Sequence, residues 1–345
     1  MSIGFDWKKR LGDGAFGEVW LAIDKALNVE RAVKTILPSK IPDSQNFFRE
    51  AQLLKEAEHY NIVKVHEAGI LEDDRIYVSM EYLRKGSIED ESKGGFVHLT
   101  RAKRIIVDVL RGLEFAHSKG IIHRDIKPAN IMIGNNGEGK LSDFGLAVKM
   151  EKGFFMPSAR EYLYIIHFAP EIFKTNKFTV VSDLYAVGIT FYRLINGDSY
   201  LPPLDLFEAK KKAQKGEIVD RSKYRVFIPQ SIKQFVHKAI EPNPNRRYQS
   251  ANEMRRALEK INIERNWDEA LLENYTIWTS SKQNKILRLT LGVDKNRKHY
   301  IIFEKGTSKD SLRKVSQLCS GKLSKIVAER KCGSILKKFV SGNLV

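Results

Sequence analysis

The segment IIHRDIKPANIMI, residues 121–133, is the most informative motif of the chain. Two apolar runs enclose a polar loop that carries His123, Arg124, Asp125, Lys127 and Asn130. An aspartate in such a loop can accept a proton from a hydroxyl nucleophile, and a nearby lysine can neutralise charge on a transferring phosphoryl group. The order and spacing of these side chains therefore predict a catalytic loop rather than an ordinary polar connection.

A second motif follows in KLSDFGLA, residues 140–147, where Asp143 stands before Phe144 and Gly145. Asp143 and Asn130 both carry oxygen ligands of the kind that Mg²⁺ accepts while it keeps waters and phosphate oxygens. The two motifs together predict a metal site beside the catalytic loop.

A glycine-rich segment, LGDGAFGEVW, occupies residues 11–20. Its three glycines, Gly12, Gly14 and Gly17, lie between two predicted strands rather than at the start of a helix, which disfavours a dinucleotide-binding motif. Glycines at such a turn let backbone N–H groups approach phosphate oxygens. The alternative is a plain glycine hairpin.

Lys34, in the strand pattern RAVKTI, alternates inward, where an unpaired charge would be costly. The helix predicted over residues 44–58 offers a partner, because Glu50 shares its apolar face with Phe47, Ala51 and Leu54. We predict a Lys34–Glu50 ion pair. The alternative is a lysine that extends to solvent and a glutamate at the edge of the face.

In this order, the motifs resemble those of the eukaryotic-type serine/threonine protein kinases, from about Phe5 to Ile263. The resemblance implies an α+β, bilobal protein-kinase fold, with an antiparallel-sheet N-lobe and a mainly helical C-lobe. It also implies ATP and Mg²⁺ (or Mn²⁺) as cofactors. The segment RRYQSANEM resembles bacterial or phage-encoded members of the family more than animal ones.

The resemblance assigns roles residue by residue. Asp125 would be the base, Lys127 and Lys34 would stabilise phosphate charge, and Glu50 would fix Lys34. Asn130 and Asp143 would hold the metal. The ATP-binding residues would be Leu11, Gly12, Gly14, Gly17, Val19, Ala32, Lys34, Met80, Glu81, Leu83 and Met132, with YVSMEYL as the hinge. Glu171 of the APE motif would form a buried ion pair with Arg247.

Lys127 stands two residues after Asp125, as in the serine/threonine type, so the expected acceptor is a Ser or Thr hydroxyl of a protein, including the chain itself. One departure is Tyr164, which occupies the position where this type usually has threonine. The candidate phosphorylation sites are Ser158, Tyr162 and Tyr164. Two alternatives stay open: a catalytically weak nucleotide-binding scaffold, or a polyanion-binding protein that acts through its C-terminal part.

We predict three units, with an N-lobe over residues 1–83, a C-lobe over 84–265 and a basic α+β extension over 266–345. The whole chain has a formal net charge of +17, and residues 281–345 hold sixteen Lys and Arg against four acids. Such an excess suggests an acidic partner, a nucleic acid or an anionic lipid surface, although aromatic residues that could stack on bases are few. A basic solvated face is the alternative.

Within the extension, residues 284–306 predict a hairpin that turns near Asp294–Lys298, and residues 308–340 predict one or two amphipathic helices. The sequence has no apolar run of membrane-spanning length and no apolar signal segment, so a cytoplasmic location is expected. Two cysteines, Cys319 and Cys332, form neither a disulfide framework nor a zinc motif.

Overall fold

The computed structural model describes residues 4–14, 17–37, 58–143 and 165–343. The N-terminal lobe is an antiparallel sheet in the order β1-β2-β3-β5-β4. Its strands are β1 (Phe5–Gly14), β2 (Gly17–Asp24), β3 (Val29–Ile36), β4 (Val65–Ile70) and β5 (Ile76–Glu81). These strands confirm the alternating patterns of the sequence. The helix predicted over 44–58 falls almost entirely outside the described residues.

The pairing register of this sheet determines which side chains share a face. Val19 pairs with Lys34, and Lys34 pairs with Val78, so these three project from the same side. Leu21, Ala32 and Met80 form the next row on that side. The opposite side closes a separate small apolar cluster of Phe5, Ala22, Val33 and Tyr77. Lys34 therefore lies on the face that can meet the second lobe.

The second lobe is mainly helical. Its helices are α1 (Ile88–Ser92), α2 (Leu99–Ser118), α3 (Ile172–Thr175), α4 (Val180–Asn196), α5 (Leu206–Lys215), α6 (Gln230–Ala239) and α7 (Ala251–Glu259). Helix α2 buries Ile106, Val109, Leu110 and Leu113, whose spacing forms one apolar stripe. The helix ends before Gly120, whose φ of +75° suits glycine. The chain then enters the predicted catalytic loop.

A short hairpin follows this loop, with β6 (Ile131–Ile133) paired to β7 (Gly139–Leu141). It is tied to the segment before β4, because Leu141 N donates to Asn61 O and Val63 N donates to Leu141 O. Buried Asn61 adds a side-chain bond from Nδ2 to Gly139 O. The catalytic loop and Asp143 are therefore fixed against both lobes.

The C-terminal module is a six-stranded antiparallel sheet covered by a helix. Its elements are β8 (Asp268–Leu271), β9 (Tyr275–Lys282), β10 (Lys285–Val293), β11 (His299–Gly306), β12 (Arg313–Lys314), β13 (Ser320–Leu323) and α8 (Lys325–Val340). The predicted hairpin is confirmed, since Asp294 N bonds to Lys298 O in its turn. No helix in the described ranges is both long and apolar enough to cross a bilayer.

The helical prediction for residues 308–340 is wrong in its first half. Only α8 is helical, whereas residues 308–323 form β12, β13 and one 3₁₀ turn. Both short strands pair with β11, at Lys305↔Arg313 and His299↔Leu323. Without β12 and β13, this edge of β11 would be open, and the sequence pattern does not show that edge. Pairing with an open strand edge can outweigh a weak helical pattern of apolar residues.

The module packs directly on the helical lobe. Asn266 Nδ2 donates to Thr100 Oγ1, on α2 of the lobe, over 2.7 Å. The guanidinium of Arg225 forms an ion pair with Glu269 and lies 4.1 Å from the ring centroid of Phe96. Because the buried apolar residues of module and lobe form one continuous cluster, the module is an integral part of the fold. The exact boundaries at 83/84 and 265/266 stay predictions.

Candidate active site

The catalytic loop is held by one buried carboxylate, that of Asp183 near the start of α4. Asp183 accepts from His123 N at 2.8 Å, from Arg124 N at 2.9 Å and from His117 Nε2 at 2.9 Å. Arg124 has a φ of +74°, which a non-glycine residue adopts only when its surroundings impose it. The two backbone bonds to Asp183 provide that constraint.

Asp125 is the centre of a polar cluster. Its Oδ2 accepts from Lys127 Nζ at 2.9 Å and from Asn130 Nδ2 at 2.8 Å. The Asn130 amide also donates to Asp125 O at 2.8 Å. These contacts orient the carboxylate while leaving it partly exposed, which suits a group that receives a proton from a bound hydroxyl.

His123 supports the loop from inside. It is completely buried, and burial lowers the pKa of its imidazole below the ordinary value despite the opposing charges of Asp183, Asp125 and Asp143. A neutral ring has an acceptor nitrogen, and Nδ1 accepts from Asp125 N at 3.3 Å. The neutral imidazole therefore helps to set the backbone of Asp125.

Lys34 forms an ion pair with Asp143, with 2.7 Å between Nζ and Oδ1. Burial opposes ionisation of Asp143 most strongly, but the charges of Lys34 and Lys127 outweigh it and bring the carboxyl pKa below its ordinary value. Asp143 has a φ of +59°, so its backbone is also constrained. The sequence predicted Glu50 as the partner of Lys34, and Glu50 lies outside the described residues.

The residues around Asp143 fit a divalent cation. The NH₂ group of Asn130 is committed to Asp125, so the amide oxygen is the atom that can face a cation. Asp143 is ionised and supplies a second oxygen. Among the described residues, no three His, Cys, Asp or Glu side chains gather as a metal cluster. Waters and phosphate oxygens would therefore complete the ligand shell, as is usual for Mg²⁺.

The predicted nucleotide-facing residues lie along β1, β2, β3, β5 and β6 and in the segment after β5. Gly17 is the most constrained, because a Cβ there would lie 1.8 Å from Thr35 O. At Gly12 a Cβ would meet no atom within 4 Å, so that position faces open space. Leu11 is exposed and Val19, Ala32 and Met132 are half-buried, whereas Met80 is buried.

Among the described residues, the predicted hinge has one backbone N–H group that bonds within the protein and one without a backbone acceptor. Glu81 N donates to Lys64 O at 2.9 Å, and its carboxylate accepts from Lys140 Nζ at 2.7 Å. Among the described residues, no backbone acceptor is found for Leu83 N–H, whereas Leu83 O accepts from Gly86 N. Leu83 N–H is therefore the donor that a flat heterocyclic ligand can use. The Lys140–Glu81 pair was not foreseen, because sequence spacing does not show that β7 meets the hinge.

The predicted Glu171–Arg247 pair is confirmed as a two-pronged ion pair. Arg247 Nη1 and Nη2 donate to the two carboxylate oxygens of Glu171 at 2.7 and 2.8 Å. The guanidinium also lies 4.8 Å from the ring centroid of Tyr185. The Glu171–Arg247 ion pair anchors the APE motif, residues 169–171, to the helical lobe. Ser158, Tyr162 and Tyr164, the candidate phosphorylation sites, lie outside the described residues.

One supporting residue was missed. His117, in the last turn of α2, donates from Nε2 to Asp183 and is nearly buried. The only sequence signal was a histidine at the end of an amphipathic helix that leads into the loop, and that signal does not identify its acceptor on α4.

Comparison with known proteins gives the family. The protein kinase domain family matches residues 5–258 of the chain, which is more than half of its length. The chain belongs to the protein kinase family. The bilobal fold expected from the resemblance is thereby confirmed, and this family generally uses ATP with a divalent metal.

Individual relatives each match part of the chain. The serine/threonine-protein kinase PrkC of Bacillus subtilis is 29% identical over 71% of the chain and 38% of the relative. The serine/threonine-protein kinase PknJ of Mycobacterium tuberculosis is 32% identical over 57% and 34%. The human tyrosine-protein kinase FRK is 34% identical over 54% and 38%. The matched part thus spans less than two fifths of each of these relatives.

Proposed function

We propose that the chain is a serine/threonine protein kinase that transfers the γ-phosphoryl group of ATP to protein hydroxyls, its own included. The observation that carries the proposal is the Asp125 cluster, in which Lys127 and Asn130 both bond to one carboxylate. Similarity to PrkC and PknJ supports the serine/threonine assignment.

Bound ATP with its divalent cation, Mg²⁺ in our proposal, supplies the phosphoryl group. Asp125 would orient the acceptor hydroxyl and take its proton, and Lys127, 2.9 Å away, would reduce charge repulsion during transfer. Asn130 and Asp143 would hold the cation. With the cation in place, Asp143 would contact the metal, and Lys34, whose Nζ lies 2.7 Å from Asp143 Oδ1, would stabilise the phosphate oxygens.

The acceptor type rests on the loop chemistry. Lys127 contacts the proposed base Asp125 directly, and this lysine is typical of the serine/threonine type. Because the tyrosine-protein kinase FRK is also a relative, a tyrosine acceptor is the alternative to test. Radiolabelled transfer to the chain itself and to a basic carrier protein, followed by phosphoamino-acid analysis, decides between them. We expect phosphoserine or phosphothreonine. Phosphotyrosine alone would contradict the proposal.

A nucleotide-binding scaffold is the rival function. It predicts that ATP stabilises the chain while no phosphate is transferred. Thermal unfolding with and without ATP and Mg²⁺ reports binding, since a ligand that binds only the folded state raises its stability. Asp125→Asn is the matched variant, because it should keep the ATP-dependent stabilisation and lose the label. Stabilisation without transfer in the unmodified chain would favour the scaffold.

We also propose that the chain works in the cytoplasm on protein substrates. Its two cysteines, half-buried Cys319 and buried Cys332, are both free thiols, and burial raises the pKa of Cys332 to about 12. Such a thiol is inert at neutral pH and needs no oxidising compartment. Fractionation of cells that produce the native chain tests the location.

A further inference from the structure

Three chain segments meet at one end of the C-terminal sheet. The β8–β9 turn (271–275), the β10–β11 turn (293–298) and the β13–α8 junction (322–327) form what we call the distal end. Leu323 pairs with His299, and His299 pairs with Val293. Val293 N bonds to Asn274 O, and Leu272 N bonds to Tyr275 O. One row of hydrogen-bonded strands therefore joins all three segments.

The distal end points away from the rest of the kinase. The module meets the helical lobe through the beginning of β8 and through the C-terminal half of α8. Asp268 pairs with His98, Arg225 pairs with Glu269, and Gly333 packs against Val226. Since β8 and α8 each reach the lobe from their other end, the distal end is left to solvent.

This end collects the exposed apolar side chains of the module. Among its described residues, all six exposed large apolar side chains lie there: Leu271, Leu272, Tyr275, Val293, Ile326 and Val327. Leu271 is 76% exposed and Ile326 is 70% exposed. Single exposed apolar residues are ordinary, but their concentration at one end of a small domain indicates a binding surface.

Basic side chains surround these apolar residues. Lys295, Arg297 and Lys298 lie in the β10–β11 turn, and Lys322 and Lys325 lie at the β13–α8 junction, all exposed. Two acids share the distal end, Glu273 and Asp294, and the Asp294 carboxylate accepts backbone N–H groups of its own turn at 2.9 Å. The net charge of the surface is therefore positive.

We propose that the distal end docks the kinase on an anionic lipid bilayer. Aliphatic side chains can enter the boundary between headgroups and acyl chains while surrounding lysines contact anionic headgroups. Protein interfaces are instead enriched in aromatic residues, Met and Arg, and depleted of Lys. Nucleic acids gain little from aliphatic side chains and need stacking platforms, of which the distal end offers only Tyr275.

The test uses the full chain and vesicles of phosphatidylcholine, with or without phosphatidylglycerol, in co-sedimentation at low salt. We expect binding to the anionic vesicles. The variant Lys295→Glu/Arg297→Glu/Lys298→Glu should reduce it about 100-fold or more, because each lost basic residue contributes about fivefold and the new glutamates repel the anionic surface. The matched control is Lys309→Glu/Arg313→Glu/Lys314→Glu, which makes the same charge change. Its site is the other end of β11, where Arg313 pairs with Lys305.

The apolar part has its own control. Leu271→Asp/Ile326→Asp should weaken vesicle binding about tenfold or more, whereas Phe207→Asp, at a 77% exposed position of α5, should not. Thermal unfolding and autophosphorylation confirm that each variant is folded. Equal losses in the two charge-reversal variants, no binding by the unmodified chain, or a preference for single-stranded RNA or polyglutamate over vesicles would each overturn the proposal.

Discussion

The Glu171–Arg247 ion pair gives the sharpest stability prediction. The Arg247 side chain is 0% exposed and the Glu171 side chain 18% exposed, so the pair is largely removed from water. Glu171→Gln leaves the guanidinium buried without its counter-charge, and breaking a buried pair by removing one partner costs about 3–5 kcal/mol. Arg247 keeps its bonds to Glu241 O and Pro242 O, so we expect about 3 kcal/mol, the low end of that range.

Urea unfolding measures this cost through the transition midpoint at constant slope. Glu259→Gln is the matched control, because Glu259 forms a half-exposed pair with Arg255 whose loss should cost below about 1 kcal/mol. The double variant Arg247→Met/Glu171→Gln should lose less free energy of unfolding than the two single variants lose together, because it leaves no unpaired buried charge. A loss below about 1 kcal/mol for Glu171→Gln alone would refute the reasoning.

Three further predictions concern other parts of the molecule. Gly17→Ala should weaken ATP binding at least tenfold, measured by titration calorimetry, because the new Cβ would collide with Thr35 O and displace β2; unchanged affinity would contradict it. Arg225→Ala should destabilise the contact between module and lobe by about 2–4 kcal/mol and expose it to limited proteolysis, since it removes the Glu269 ion pair and the Phe96 contact. The free energy of unfolding should fall as the pH decreases below 6.5, and His123 should contribute up to about 1.4 kcal/mol per pH unit to this fall. The reason is that burial lowers the pKa of His123, so its imidazole is protonated in the unfolded chain but stays neutral in the folded one. His123→Asn should reduce this pH slope in urea titrations, and an unchanged slope would exclude the residue as its source.

Motifs whose chemistry depends on local spacing were predictable from the sequence. Asp125, Lys127 and Asn130 lie within six residues of one another, so their contacts follow from a single loop conformation. The Glu171–Arg247 pair was predictable only through the family resemblance, because 76 residues separate its members. The assignment of ATP-binding and metal-binding roles stays a prediction.

Contacts between elements far apart in the chain could not be predicted from the sequence. Buried Asp183, on α4, bonds both to His117 on α2 and to the backbone of the catalytic loop. A local sequence pattern does not predict contacts among three separate elements. The Lys34–Glu50 pair stays a prediction, whereas the contact of Lys34 with Asp143, 109 residues further along the chain, was not foreseen. The strands over 313–323 were missed for a similar reason, since their stability comes from the open edge of β11.

We propose Asp125 as the base of a working protein kinase. Intact mass spectrometry of the purified chain after incubation with ATP and Mg²⁺ tests it most directly, with Asp125→Asn treated in parallel. We expect added phosphate groups on the unmodified chain and none on the variant, and fragmentation of the phosphorylated chain should place them on Ser or Thr residues. Equal phosphorylation of both chains, or an unchanged mass for a chain that binds ATP, would contradict it.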